Sequence, residues 1–194
     1  MKKIILSAFI FVMTMTANTF ADIKMGIILG FTGPIESLTP AMAASAELAF
    51  KEASDSGSLL GGKRISVERA DSTCVDSAAA TSAAEGLVSG GVVAIMGADC
   101  SGVTGAIAKN VAVPNGVVMI SPSATSPGLT DLKDNGYFFR TAPSDARGGQ
   151  ILADITKDRK VKSIAVTHTN NDYGKGLADV YVAAVKAHGI NVTV

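Results

Sequence analysis

Several absences narrow the chemistry open to this chain. It has no G-x-G-x-x-G run, since Gly26, Gly30 and Gly33 are wrongly spaced for a dinucleotide loop, and it lacks a Walker A sequence and a G-x-S-x-G nucleophile elbow. Histidine is nearly missing: only His168 and His188 occur, neither with a Ser or Cys partner close in sequence. Cysteine is limited to Cys74 and Cys100, with no histidine near either, which argues against a zinc site. Neither sign of charge is in excess, with 17 Lys and Arg against 17 Asp and Glu. No basic stripe or polybasic cluster offers itself to nucleic acid or to a membrane surface. Asp71, Asp99 and Asp172 fall near strand ends, where carboxylates do acid–base work but equally cap helices and turns. The expectation is a protein that is not an enzyme and carries no metal or cofactor.

What is present begins with an export signal. Lys2 and Lys3 precede ten residues, Ile4 to Met13, of which only Ser7 is polar, and small residues then lead to Thr19-Phe20-Ala21. This is the pattern of a cleavable secretory signal over 1–21, too short in its apolar stretch to span a bilayer. No Cys follows the cleavage point, which excludes lipid attachment there, and no later segment approaches membrane-spanning length. Without residues 1–21, which hold two lysines and no acid, the chain carries 15 basic against 17 acidic residues. In an exported protein an even cysteine pair is more often a bridge than a metal site, with two independent buried thiols as the alternative. A Cys74–Cys100 bridge would stabilise by about 3 kcal/mol in the loop-entropy picture.

Past the signal, apolar runs alternate with alanine-rich runs. Strands are expected at 24–29, 65–68, 92–96 and 117–120, and helices at 40–54, 76–88 and 103–110, the second capped by Ser72, Thr73 or Asp76. The order βαβαβαβ with long crossovers predicts a parallel sheet, and continuous rather than alternating apolar strands predict helices on both of its faces. The stretch 121–140 is rich in Ser, Thr, Pro and Gly and turns apolar again at Tyr137-Phe138-Phe139. A helix at 146–157, a strand at 163–167, a helix at 176–188 and a strand from Ile190 start a second α/β unit near residue 141, which reads as truncated at Val194.

In open parallel sheets, ligands gather beyond the carboxyl ends of the strands. Four loops have that position: 32–38, 100–102, 121–125 and 170–176. Their residues are small and hydroxylic, suited to a small anion such as a carboxylate. Any single Ser or Thr among them is by itself more simply a cap or turn residue. His168 ends a strand where it would line the crevice, whereas His188 sits at a helix C-terminus beside Gly189.

Six phrases, in order, carry a resemblance: Gly30-Phe31-Thr32-Gly33-Pro34, Ala46-Glu47-Leu48-Ala49, Leu60-Gly61-Gly62-Lys63, Ser121-Pro122-Ser123-Ala124-Thr125-Ser126-Pro127, Phe139-Arg140-Thr141-Ala142-Pro143-Ser144-Asp145 and Asp172-Tyr173-Gly174-Lys175-Gly176. The chain resembles the leucine/isoleucine/valine-binding proteins, the type I periplasmic binding proteins that serve ABC transporters. The resemblance implies an α/β fold of two lobes, each a doubly wound parallel sheet. The first lobe would take residues 22–140 and the second 141–194, the latter incomplete because the family is about twice as long. It further implies a soluble, monomeric periplasmic receptor that captures branched-chain or related amino acids between the lobes and delivers them to a membrane permease. A binder or sensor of amides, urea or another small polar solute is the alternative. Carried over by position, Ser101 and Thr125 would bind the α-carboxylate through hydroxyl and N–H groups. Ser123 would offer its carbonyl to the ammonium, with Ala124 between them, and Tyr173 would reach across from the second lobe. Leu38 stands where some leucine binders place an aromatic pocket wall. Cys74 and Cys100 fall where some members carry a disulfide.

Overall fold

The computed structural model describes residues 22–193, so the export signal read over 1–21 lies outside the described residues. The chain runs β1 (Ile23–Leu29), α1 (Thr39–Asp55), β2 (Ile65–Asp71), α2 (Ser77–Ser89), β3 (Ala94–Gly97), α3 (Ser101–Ile107) and β4 (Val118–Ser121). It continues with β5 (Phe138–Arg140), α4 (Asp145–Asp158), β6 (Ser163–Ala165), α5 (Asp172–Ala187) and β7 (Asn191–Thr193). The first five strands form one parallel sheet in the order 2-1-3-4-5, and β6 and β7 form a second parallel pair.

Alternation along β1 sorts its side chains between two cores. Ile28 points to the face covered by α2 and α3, where it meets Ala80, Ala84, Leu87, Ile95, Val103, Ile107 and Met119. Ile27 and Leu29 point to the face covered by α1, against Ala43, Met42, Ala46 and Phe50. Ala80, Ala84 and Leu87 recur at four and three residues, so one stripe of α2 is buried. Burial of a side chain such as Leu87 stabilises by about 1.5–3 kcal/mol. Asp76 caps α2, its carboxylate accepting from the N–H groups of Ala78 and Ala79 at 2.9 and 3.0 Å. That makes it, of the three residues expected for this role, the one that serves. Helices on both faces make this a doubly wound sheet.

The second unit packs α4 on α5 around Ala153, Val185 and Ile190. Contact is close at Gly149: a Cβ there would lie 2.8 Å from Val180 Cγ1 and 3.1 Å from the Tyr181 backbone nitrogen. His188 stands at the end of α5 and its Nε2 lies 2.8 Å from Asp154 Oδ1.

Several details depart from the sequence expectation, among them β2, which runs on to Asp71, and β3, which begins only at Ala94. The short strand β5 emerges from the Pro- and Gly-rich stretch. α3 begins at Ser101 and continues as a π-helical turn over Ala108–Ala112. β6 stops at Ala165, short of Thr167. α5 starts at Asp172, four residues before Gly176, because the Asn171 side chain caps it by accepting from Gly174 N–H at 2.9 Å. Cys74 and Cys100 are bridged, with Cα atoms 5.2 Å apart, which decides against independent thiols.

Candidate ligand-binding crevice

The strand order reverses at β1 and β3, so the loops leaving their carboxyl ends part in opposite directions and open a crevice. Gly97, which ends β3, has φ of +138°, and a Cβ on it would sit 2.0 Å from the Ile28 carbonyl oxygen. Only glycine lets the loop leave the sheet this close to β1. Asp99, Cys100 and Ser101 follow, with Cys100 bridged to Cys74 on the loop after β2.

Ser101 is buried at the head of α3, and its Oγ accepts from the Ser126 N–H at 3.1 Å. That bond occupies a lone pair and leaves the hydroxyl proton without an acceptor among the described residues. The loop after β4 faces it. Ser121 Oγ accepts from Ala124 N–H at 3.0 Å and donates to the Ala98 carbonyl. Ser123 is exposed, and its hydroxyl donates to the Asp99 carbonyl at 3.0 Å. Thr125 is half-buried; its hydroxyl donates to Asp145 Oδ2 at 2.7 Å, while Asp145 N–H returns a bond to the Thr125 carbonyl at 3.0 Å. Arg140 clamps the same loop, donating to the carbonyl of Ser126 at 2.8 Å and to the Thr130 hydroxyl at 2.6 Å.

The loop after β1 is held from β2. Thr32 donates to Asp71 through its hydroxyl at 2.6 Å and its N–H at 3.3 Å, and Thr73 N–H adds a bond at 2.8 Å. Burial pushes the Asp71 carboxyl up, but these donors, the Thr32 hydroxyl foremost, outweigh it and hold the group below the ordinary carboxylate range.

The structure thus brings Ser101, Ser123, Ala124 and Thr125 onto two adjacent loops. Tyr173 and Leu38 stand apart from them. Ser101 and Ser126 share a hollow of about 340 Å³ with Asp172 and Gly176 of α5. Tyr173, on the next position of α5, is 46% exposed and turns into a separate hollow of about 440 Å³ with Leu152, His168 and Tyr181. Leu38, just before α1, is 60% exposed. His168 is exposed, its Nδ1 2.9 Å from the Thr169 carbonyl. The roles of Arg140 and Asp145 had escaped the sequence reading, since both act on loops twenty or fewer residues away without any local motif.

Residues 22–194 match the family model described as periplasmic binding protein. The chain belongs to the periplasmic binding protein family. This binding protein is 33% identical over 172 residues to the Leu/Ile/Val-binding protein homolog 3 of Brucella melitensis, an alignment covering 88% of this chain and 46% of the relative. Among solved structures it is similar to the branched-chain amino acid transporter substrate-binding protein LivJ of Streptococcus pneumoniae in complex with isoleucine. There the TM-score is 0.74 at 30% identity, over 90% of this chain and 48% of that one. It is also similar to an ABC transporter substrate-binding protein of Desulfitobacterium hafniense in complex with Leu, with a TM-score of 0.70 and 28% identity over 89% and 50% of the two chains. The chain spans about half the length of the curated relatives it matches, 46% in the case above. Among the described residues, no helix is long and apolar enough to cross a membrane.

Proposed function

We propose that this chain forms part of a periplasmic substrate-binding component of an ABC transporter, and that its crevice takes the zwitterionic end of an aliphatic amino acid. Residues 22–140 make the first lobe in this reading, and 141–194 belong to the second. The observation that carries it is the hydrogen-bond inventory of the two facing loops. Ser101 keeps a hydroxyl proton to give, and Thr125 keeps its backbone N–H; both suit a carboxylate. Thr125 spends its hydroxyl proton on Asp145, so that oxygen can only accept, and together with the Ser123 carbonyl it suits an ammonium. Donors at one end and acceptors at the other fit a molecule carrying both charges.

This reading is of capture rather than conversion, and the family supports it. Among the described residues neither histidine hydrogen-bonds a Ser or Cys side chain, and the Ser101 hydroxyl is hydrogen-bonded to no base. Ligand contacts from both lobes would favour a closed form, which is the form presented to the permease. Tyr173 and Leu38 stand apart from the crevice in this structure; on closure Tyr173, in the first turn of α5, would turn from its separate hollow to serve from the second lobe, and Leu38 would come to flank the aliphatic part. The relatives with Leu and Ile bound support the aliphatic class.

Thermal unfolding of the full-length protein against leucine, isoleucine, valine, simple amides and urea tests this. The correct ligand at a hundredfold excess over its dissociation constant stabilises by about 2.7 kcal/mol. A response to an amide or urea and to no amino acid overturns the amino-acid reading, and recovery of chemically altered ligand overturns capture.

A further inference from the structure

Four strand-end loops meet on one buried aspartate, through its carboxylate or its carbonyl, that the proposed ligand set does not use. Asp99, 4% exposed, lies in the turn between β3 and α3. Its Oδ2 accepts from the Gly30 N–H at 2.6 Å, on the loop after β1. Its Oδ1 accepts from the Ser72 hydroxyl at 3.2 Å, after β2, and from the Cys100 N–H at 2.9 Å, at the head of α3. Its own carbonyl accepts from the Ser123 hydroxyl at 3.0 Å, after β4. Among the described residues no cation pairs with it.

A buried carboxylate without a counter-ion is costly unless donors fill its lone pairs. Two of the donors, Gly30 and Ser72, come from the loops after β1 and β2, so neither of those loops can drift without uncovering the charge, while the loop after β4 is tied through the Asp99 carbonyl. Hydrogen bonds to an ionised acceptor are also the stronger kind. The ties reach the crevice directly: Cys100 precedes Ser101, and Ser123 lies two residues before Thr125. We propose that Asp99 is the positioning residue of the crevice, its carboxylate and carbonyl locking the loops after β1, β2, β3 and β4 in the register that presents Ser101, Ser123 and Thr125 together. Asp99 acts through those residues and touches no ligand itself. Its role rests on the amino-acid-binding reading above.

Asp99→Asn is the informative variant. The amide keeps the size and one acceptor oxygen, but it turns N–H groups toward a partner that is itself a donor. Leu87→Ala, which opens a cavity in the α2 core away from these loops, controls for plain destabilisation. Affinities of the full-length protein and both variants for L-leucine, L-isoleucine and L-valine are measured by calorimetry, at a temperature where circular dichroism shows all three folded. The expected result is a loss of about tenfold or more in Asp99→Asn and of less than about twofold in Leu87→Ala. Near-wild-type affinity in Asp99→Asn, or equal losses in the two variants, overturns the role. Amide hydrogen exchange separates this failure from failure of the underlying reading. If the wild type binds none of the three amino acids, that reading falls, and Asp99 is judged on exchange alone. Exchange at Gly30, Cys100 and Ser126 faster in Asp99→Asn than in Leu87→Ala supports the lock, and unchanged exchange overturns it.

Discussion

Asp71 and Asp99 stand at the ends of neighbouring strand pairs and do related work with different surroundings. Asp71 is half-buried and gathers the hydroxyl and N–H of Thr32 with the N–H of Thr73. Because its folded value is lowered, it contributes stability that is fully present above the ordinary carboxylate value of about 3.9 and is lost as pH falls through the folded value. Asp71→Asn should therefore cost about 1 kcal/mol at pH 7 and flatten the acid limb of stability. Thermal midpoints of wild type and variant between about pH 6 and pH 3 check this, with the two curves expected to converge as the pH drops. The loops that hold the four small residues of the crevice were open to a reading from sequence because they follow apolar strands, where ligand loops lie, whereas the choice of those residues came from the family resemblance. The partners that set their hydrogen bonds were not open to such a reading. Asp145 is the first residue of a helix, and only the return of the chain places its carboxylate on Thr125. Arg140 ends a three-residue strand and carries no signal that it grips Ser126.

The elements divide by how much local pattern each holds. α1, α2 and β1 were legible because long apolar or alanine-rich runs mark them, and α2 also has a clear cap. β5 was not, since three residues beside a Pro- and Gly-rich loop acquire strand geometry only by pairing with β4. Gly148 and Gly149 show the same division inside one helix. The two are alike in sequence, yet a Cβ at Gly148 meets nothing within 4 Å, whereas at Gly149 it would press on the α5 backbone. Gly148→Ala should stabilise the protein by about 0.5–1 kcal/mol through helix propensity alone. Gly149→Ala should destabilise it by about 1–3 kcal/mol, because a helix backbone cannot give way as a side-chain tip can. Urea unfolding of the two variants, with shifts of opposite sign, is the measurement.

At the scale of the molecule, the centre of the main sheet is held by three kinds of tie. The cores on its two faces are apolar, the strand-end loops share hydrogen bonds, and the Cys74–Cys100 bridge is covalent. Replacing both cysteines by serine should lower stability by about 3 kcal/mol, given a sequence separation of 26. Denaturant titration of the oxidised protein beside the double variant measures it, and coincident midpoints would show that the bridge adds nothing beyond the packing around it.

That bridge has a further consequence, topological rather than energetic. The ring it closes contains all of α2 and β3, including the exposed Gly90–Gly91 turn between them. A protease cutting at that turn breaks the backbone without parting the molecule. The two pieces migrate as one until a reductant is added, so the sheet's central strands stay joined through a nick that would otherwise divide the chain.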